Sequence, residues 1–178
     1  METVKTTHLG NIRKVNEDAV LTKEKDGLCL LIIADGMGGH NAGEVASNMA
    51  ITCLEEYVFD HTDEDLMDVL CSAVSYANSS ILSRARKNKV HSGMGTTITA
   101  ALIKEGKVFV ANVGDSRTYH FSKDGLKQVT VDHSYVQQLV NRGVITQEEA
   151  QTHPRRNLIT RAVGTQKRVR TDVFCVQL

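Results

Sequence analysis

An α+β layered fold follows from three features of this sequence. Residues 28–34 form a continuous apolar run between Asp26-Gly27 and Asp35-Gly36, two stretches of helical periodicity come next, and hairpin patterning begins at Thr97. A Rossmann-type sheet would instead show repeated strand-helix-strand units.

The apolar run suits a strand buried on both faces, with Asp35 delivered at its C-terminal end. Across residues 42–59, Val45, Met49, Cys53, Leu54, Tyr57 and Val58 recur at helical spacing, so one amphipathic helix is expected. A second helix is expected over residues 63–89, with Leu66, Val69, Leu70, Ala73, Ala77 and Ile81 on one stripe and Thr62 as its N-cap. The period then changes. Residues 97–103 and 107–113 flank Lys104-Glu105-Gly106 as a hairpin, and residues 117–121 and 126–131 flank a turn at Lys123-Asp124-Gly125. Residues 134–142 are helical again and stop at Gly143. Thr146 and Glu149 have the spacing of a capping box for one more short helix, and residues 173–178 alternate like a strand.

Bulk properties bound the function. The 178 residues suit a single domain spanning 1–178, with one proline, Pro154, and no linker or repeat to divide it. Lys plus Arg equals Asp plus Glu at 21 each, so no field of one sign points to a nucleic-acid or membrane-surface partner. Cys29, Cys53, Cys71 and Cys175 are far apart and read as reduced core residues. No apolar run approaches the ~18 residues needed to span a bilayer, and no signal-like segment opens the chain, which reads as a cytoplasmic protein and a monomer.

Three constellations can carry chemistry. Asp35-Gly36-Met37-Gly38-Gly39-His40 places a carboxylate at a strand end before a glycine loop, and the Gly36 carbonyl can face an ion beside it. The same pattern also fits a plain strand-to-helix loop with a capping role. Arg13-Lys14-Val15-Asn16-Glu17-Asp18 combines a phosphate-matching guanidinium with two carboxylates, or is a solvated turn. Val113-Gly114-Asp115-Ser116-Arg117 brings Asp115 to another strand end, or is an ordinary Gly-Asp turn. Gly95-Thr96-Thr97 reads as the opening of a strand. Of the seven histidines only His40, inside the glycine loop, is a candidate proton donor or phosphate contact, and the others read mostly as surface residues. No GxSxG elbow or P-loop occurs.

In order along the chain, Arg13 with Asn16-Glu17-Asp18, the loop from Asp35 to His40, Gly95-Thr96-Thr97, Ala111-Asn112-Val113-Gly114-Asp115-Ser116-Arg117 and residues 132–164 resemble successive motifs of the bacterial metal-dependent type 2C serine/threonine protein phosphatases. The resemblance implies a four-layer α-β-β-α sandwich of two antiparallel sheets flanked by helices. It implies hydrolysis of phosphoserine and phosphothreonine in proteins by in-line attack of a hydroxide bridging two Mn2+ or Mg2+ ions. By the same resemblance Asp35 bridges the metals, Gly36 lends a carbonyl, Glu17 holds metal-bound water, Arg13 grips the substrate phosphate, and Asp115 helps to hold a third ion. Residues 134–164 correspond to a flap beside the site, and the implied partners are phosphorylated proteins, the substrates of a serine/threonine kinase. Met37 stands where eukaryotic members often carry histidine, which leaves His40 or a metal-bound water as the acid. The family pattern continues past a strand like residues 173–178 to further aspartates, so a domain incomplete at its C-terminal end is expected. The alternative from another class is a non-catalytic regulatory or binding module on the same scaffold, lacking complete metal ligation.

Overall fold

The computed structural model describes residues 1–39 and 41–178. Strand β1 (Asp18–Lys25) pairs antiparallel with β2 (Leu28–Met37) through a two-residue turn at Asp26 and Gly27, both at positive φ, as a type I′ hairpin requires. Helices α1 (Ala42–Asp60) and α2 (Leu66–Lys87) follow. Next come β3 (Gly95–Thr96), β4 (Ile98–Lys104), β5 (Lys107–Val113), the hairpin β6 (Tyr119–Ser122) and β7 (Gly125–Gln128), α3 (Tyr135–Asn141), α4 (Gln147–Thr152) and β8 (Asp172–Gln177).

The larger sheet runs β1-β2-β4-β5-β8, antiparallel throughout, with β3 paired to the end of β2. Its register places Leu30 beside Leu102 and Leu102 beside Phe109, and Ile32 beside Ala100 and Ala100 beside Ala111. These alternate residues all point to the helix face, where Leu54, Val58, Leu70, Val74 and Ile81 of α1 and α2 meet them in one core. Past β5 the chain crosses to the opposite face. Thr97 Oγ1 meets Ser116 Oγ at 2.7 Å, Thr99 Oγ1 meets Thr118 Oγ1 at 2.7 Å, and β6-β7 forms the second antiparallel sheet. The expected α+β architecture of two antiparallel sheets with helices is therefore present.

Two local expectations change. Residues 28–34 are fully buried on one face and only partly on the other: Leu30 is fully buried, whereas on the opposite face burial fades from Cys29 through Leu31 to Ile33, which is 47% exposed on the side that Val4, Lys5 and Thr6 partly cover. Helix α2 starts later than its periodicity suggests. Its N-cap is Asp65, whose carboxylate accepts from the Met67 and Asp68 N–H groups at 2.9 and 3.2 Å and so satisfies two otherwise free donors. The expected capping box is found, with Thr146 N–H donating to Glu149 and Glu149 N–H donating to Thr146.

Candidate metal centre

One end of the larger sheet gathers the chemistry, because antiparallel pairing brings the start of β1, the end of β2, the start of β4 and the end of β5 together. Asp18 lies directly opposite Asp35 in the β1-β2 register. The backbone of Asp35 is held on both sides: its N–H donates to Thr97 Oγ1 at 3.0 Å, and its carbonyl accepts from Thr96 Oγ1 at 3.0 Å and Thr97 N–H at 2.9 Å. The short Gly95-Thr96-Thr97 segment is thus a clamp on Asp35 as well as a strand opening. Gly36 N–H donates to the Glu17 carbonyl at 3.0 Å. A Cβ at Gly36 would strike the backbone of both Gly43 and Glu17, and one at Gly43 would strike the Glu17 carboxylate. Glycine at these two positions lets three chain segments meet at one point.

Arg13, Glu17, Asp35, Gly36 and Asp115, all expected from the sequence, line a single cleft of about 580 Å3 together with Met37, Gly38, Thr97, Asn157 and Ile159. His40 lies outside the described residues. Arg13 is exposed, and its Nη1 donates to Glu17 Oε2 at 3.2 Å. Asp35 opens to the cleft, yet the surrounding strand ends keep water from part of it. That desolvation, the charges of Asp18 and Asp115 and a carboxyl-carboxyl hydrogen bond with Asp18 push its pKa up to about 6, against a smaller opposing pull from Arg13. Desolvation also raises the Asp115 carboxyl, with the negative charge of Asp132 adding to it, while hydrogen bonding to its own backbone and the Arg117 charge pull the other way.

Among the described residues no three His, Cys, Asp or Glu side chains converge into a ready-made cage. What the cleft offers is a rim of separate oxygen donors with mutually destabilised negative charge. That arrangement fits a hard divalent cation of the Mg2+ type, which takes one or two carboxylates directly and keeps several of its waters. It does not fit a zinc site of nitrogen and sulfur ligands.

The Asp35 shift has a testable sign. Its folded-state pKa of about 6 exceeds its ordinary value of 3.8, so the folded chain binds more protons between those values and stability falls as pH rises through that window. In metal-free buffer the melting temperature is expected to decline toward pH 6 and then level, and Asp35→Asn is expected to flatten the profile. A profile identical in the two proteins would show that Asp35 is not destabilised.

A second cluster, which sequence reasoning missed, stands behind the cleft. His133 is 7% exposed, not a surface residue. Its Nδ1 accepts the Gly114 N–H at 3.0 Å, its own N–H donates to the Gly114 carbonyl at 2.9 Å, and its Nε2 lies 3.0 Å from Asp172 Oδ2. Burial lowers the His133 pKa, with the nearby Arg161 charge acting the same way and Asp172 opposing. Asp172 is the first residue of β8, paired with Asn112, and Arg161 Nη1 donates to its Oδ1 at 2.7 Å. Burial alone would raise the Asp172 carboxyl, but the hydrogen bonds from His133 and Arg161 outweigh it and hold the pKa below the ordinary value. Alongside, Arg117 makes a bidentate pair with Asp132. No single-residue signal marks His133 in the sequence. Its position directly after Asp132 and before the α3 cap Ser134 is the nearest to one.

Comparison with known proteins extends this picture. The protein phosphatase 2C family matches residues 4–139. The serine/threonine phosphatase stp of Listeria innocua is 41% identical over 175 residues, which cover 96% of this chain and 69% of that protein. The crystal structure of the serine/threonine phosphatase Stp1 from Staphylococcus aureus superimposes with a TM-score of 0.89 at 42% identity, over 97% of this chain and 70% of that one. The catalytic domain of the serine/threonine protein phosphatase PstP, solved in complex with 2 manganese ions, superimposes with a TM-score of 0.83 at 38% identity, over 96% of this chain and 69% of that one.

Proposed function

This chain belongs to the protein phosphatase 2C family, and from that premise we propose that its cleft hydrolyses phosphoserine and phosphothreonine in proteins, with Arg13, Glu17, Asp35, Gly36 and Asp115 as its working residues. The observation that carries the assignment of residues is their convergence on one cleft from segments up to about a hundred positions apart. Divalent ions bound there supply Lewis-acid charge neutralisation and a nucleophilic water at neutral pH. Mn2+ is the first ion to test, since the PstP catalytic domain carries 2 manganese ions.

The chain's own groups divide the remaining work. Asp35, fixed through its backbone by Thr96 and Thr97, would present a carboxylate to the ions from a position that cannot drift. Gly36 and Glu17 are tied to each other by the Gly36 N–H bond to the Glu17 carbonyl, and Asp115 adds a further carboxylate to the same cleft lining. Arg13 stands exposed in the lining of the cleft, where its planar fork matches two phosphoryl oxygens, and releasing Glu17 frees it to turn toward substrate. His40 is retained as a candidate proton donor to the leaving serine or threonine oxygen.

Residues 134–164 are proposed as a flap, supported by Asn157 and Ile159 in the cleft lining. The two ends of the segment are joined by Tyr135 N–H to the Leu158 carbonyl at 2.8 Å and Thr160 N–H to the His133 carbonyl at 2.7 Å, and Val163 bridges to Thr96 of β3. No helix among the described residues is long and apolar enough to cross a membrane. A cytoplasmic monomer acting on the products of a serine/threonine kinase is the setting that suits these features. The alternative of a non-catalytic module gains no support from relatives that are named phosphatases.

Arg13→Ala tests the phosphate assignment. Losing a charge-assisted bidentate contact is expected to raise KM for a phosphoserine peptide about tenfold and to leave Mn2+ affinity unchanged. If KM stays constant while Mn2+ affinity drops, Arg13 serves the metal rim and not the phosphate.

A further inference from the structure

We infer that His133 is a positioning residue for Asp115, acting through the backbone of Gly114 and held in place by Asp172. The inference rests on the reading of Asp115 as a cation ligand. Gly114 is buried and at positive φ, and Asp115 is attached to it with no regular secondary structure beyond. Such a residue would be free to rotate unless its neighbour were fixed. His133 fixes it from both sides, since the ring takes the Gly114 N–H and the His133 backbone N–H gives to the Gly114 carbonyl. Asn112 adds a longer bond to the same carbonyl at 3.3 Å, and Thr97 packs against Gly114 so closely that a Cβ there would clash with its side chain.

The ring itself has one workable tautomer. A backbone N–H can only donate, so Nδ1 must be the acceptor and the neutral ring carries its hydrogen on Nε2, where Asp172 Oδ2 at 3.0 Å accepts it and the neighbouring Arg161 Nη1, 2.9 Å away and itself only a donor, makes no hydrogen bond to the ring. Arg161, donating to Asp172 Oδ1 and to the Arg170 carbonyl, anchors that carboxylate in turn. Asp172 thus orients the imidazole as a carboxylate orients a catalytic or ligating histidine, but here the imidazole grips backbone. The chain of contacts links β8 and the segment at Arg161 to the placement of one carboxylate in the cleft. Removal of a partner that orients a metal ligand costs about 10- to 100-fold in metal affinity.

Two replacements separate positioning from simple core packing. In His133→Asn the amide oxygen takes the place of Nδ1 and can still accept from Gly114. In His133→Gln the amide sits near Nε2 and leaves the Gly114 N–H unmet. Mn2+ is titrated calorimetrically into the full chain carrying each change, beside Asp115→Asn, with thermal melting in parallel. His133→Gln is expected to weaken Mn2+ binding at least about tenfold and His133→Asn to retain most of it, even if both melt at similar, lowered temperatures. Equal affinities in the two variants, or the reverse order, would overturn the inference. If Asp115→Asn itself leaves the titration unchanged, the ligand reading fails and the positioning role falls with it. If Asp115→Asn weakens binding but the Asn and Gln variants match, only the positioning role fails.

Discussion

Asp35→Asn is expected to reduce phosphate release from a phosphoserine peptide by at least about a hundredfold, since replacement of a direct ligand should exceed the 10- to 100-fold cost of removing a group that merely orients one. The substitution preserves shape and backbone contacts, so the clamp from Thr96 and Thr97 survives and the fold should be intact. It also removes the partly desolvated charge, and with it the repulsion from Asp18 and Asp115, that together raise the Asp35 pKa, so the metal-free variant should melt higher than the parent at neutral pH. Higher stability with lost turnover is the signature of a carboxylate kept for chemistry at a cost to the fold. A variant that is both active and unchanged in stability would remove Asp35 from the site altogether.

Gly36→Ala is expected to be the most damaging substitution to structure. The atoms nearest the added methyl are the Gly43 carbonyl and the Glu17 carbonyl, all backbone, with no flexible side chain that could turn aside. Separating these segments would break the Gly36 N–H bond to Glu17 and move the start of α1 away from the end of β2. A loss of about 3 kcal/mol in folding stability is expected, the upper end for forced overpacking, together with loss of Mn2+ binding even where the chain remains folded. Denaturant unfolding and calorimetry on the same sample check both parts. An unchanged midpoint would mean that the three segments are not packed as tightly as the structure has them.

The sequence made legible those parts of the fold that depend on near neighbours. The hairpin turn at Glu105-Gly106, the capping box at Thr146 and Glu149, and the extent of α1 all follow from local stereochemistry, whereas strand β1 and its I′ turn at Asp26-Gly27 were not read from the sequence. The five cleft residues were legible only as an ordered set of motifs, because each alone has an ordinary explanation as a turn or a cap. What stayed hidden depends on register and on distant pairing. Asp18 faces Asp35 because of how β1 and β2 align, and the Thr96 and Thr97 hydroxyls find Asp35 across sixty residues. His133 is buried because the end of β5, the start of β8 and Arg161 close around it. A window of sequence around Asp132-His133-Ser134 contains none of those partners. Exposure of Ile33 has the same origin, since periodicity marks a residue as apolar but not how fully its face is covered.

The most direct measurement is phosphate release from a phosphoserine peptide by the chain stripped of divalent ions with EDTA, then supplied with Mn2+ in excess of chelator. The expected result is no release in EDTA and release restored by Mn2+, with Asp35→Asn silent under both conditions. Release that persists in EDTA, or that Mn2+ restores equally in Asp35→Asn, would contradict a metal-dependent phosphatase site built on Asp35.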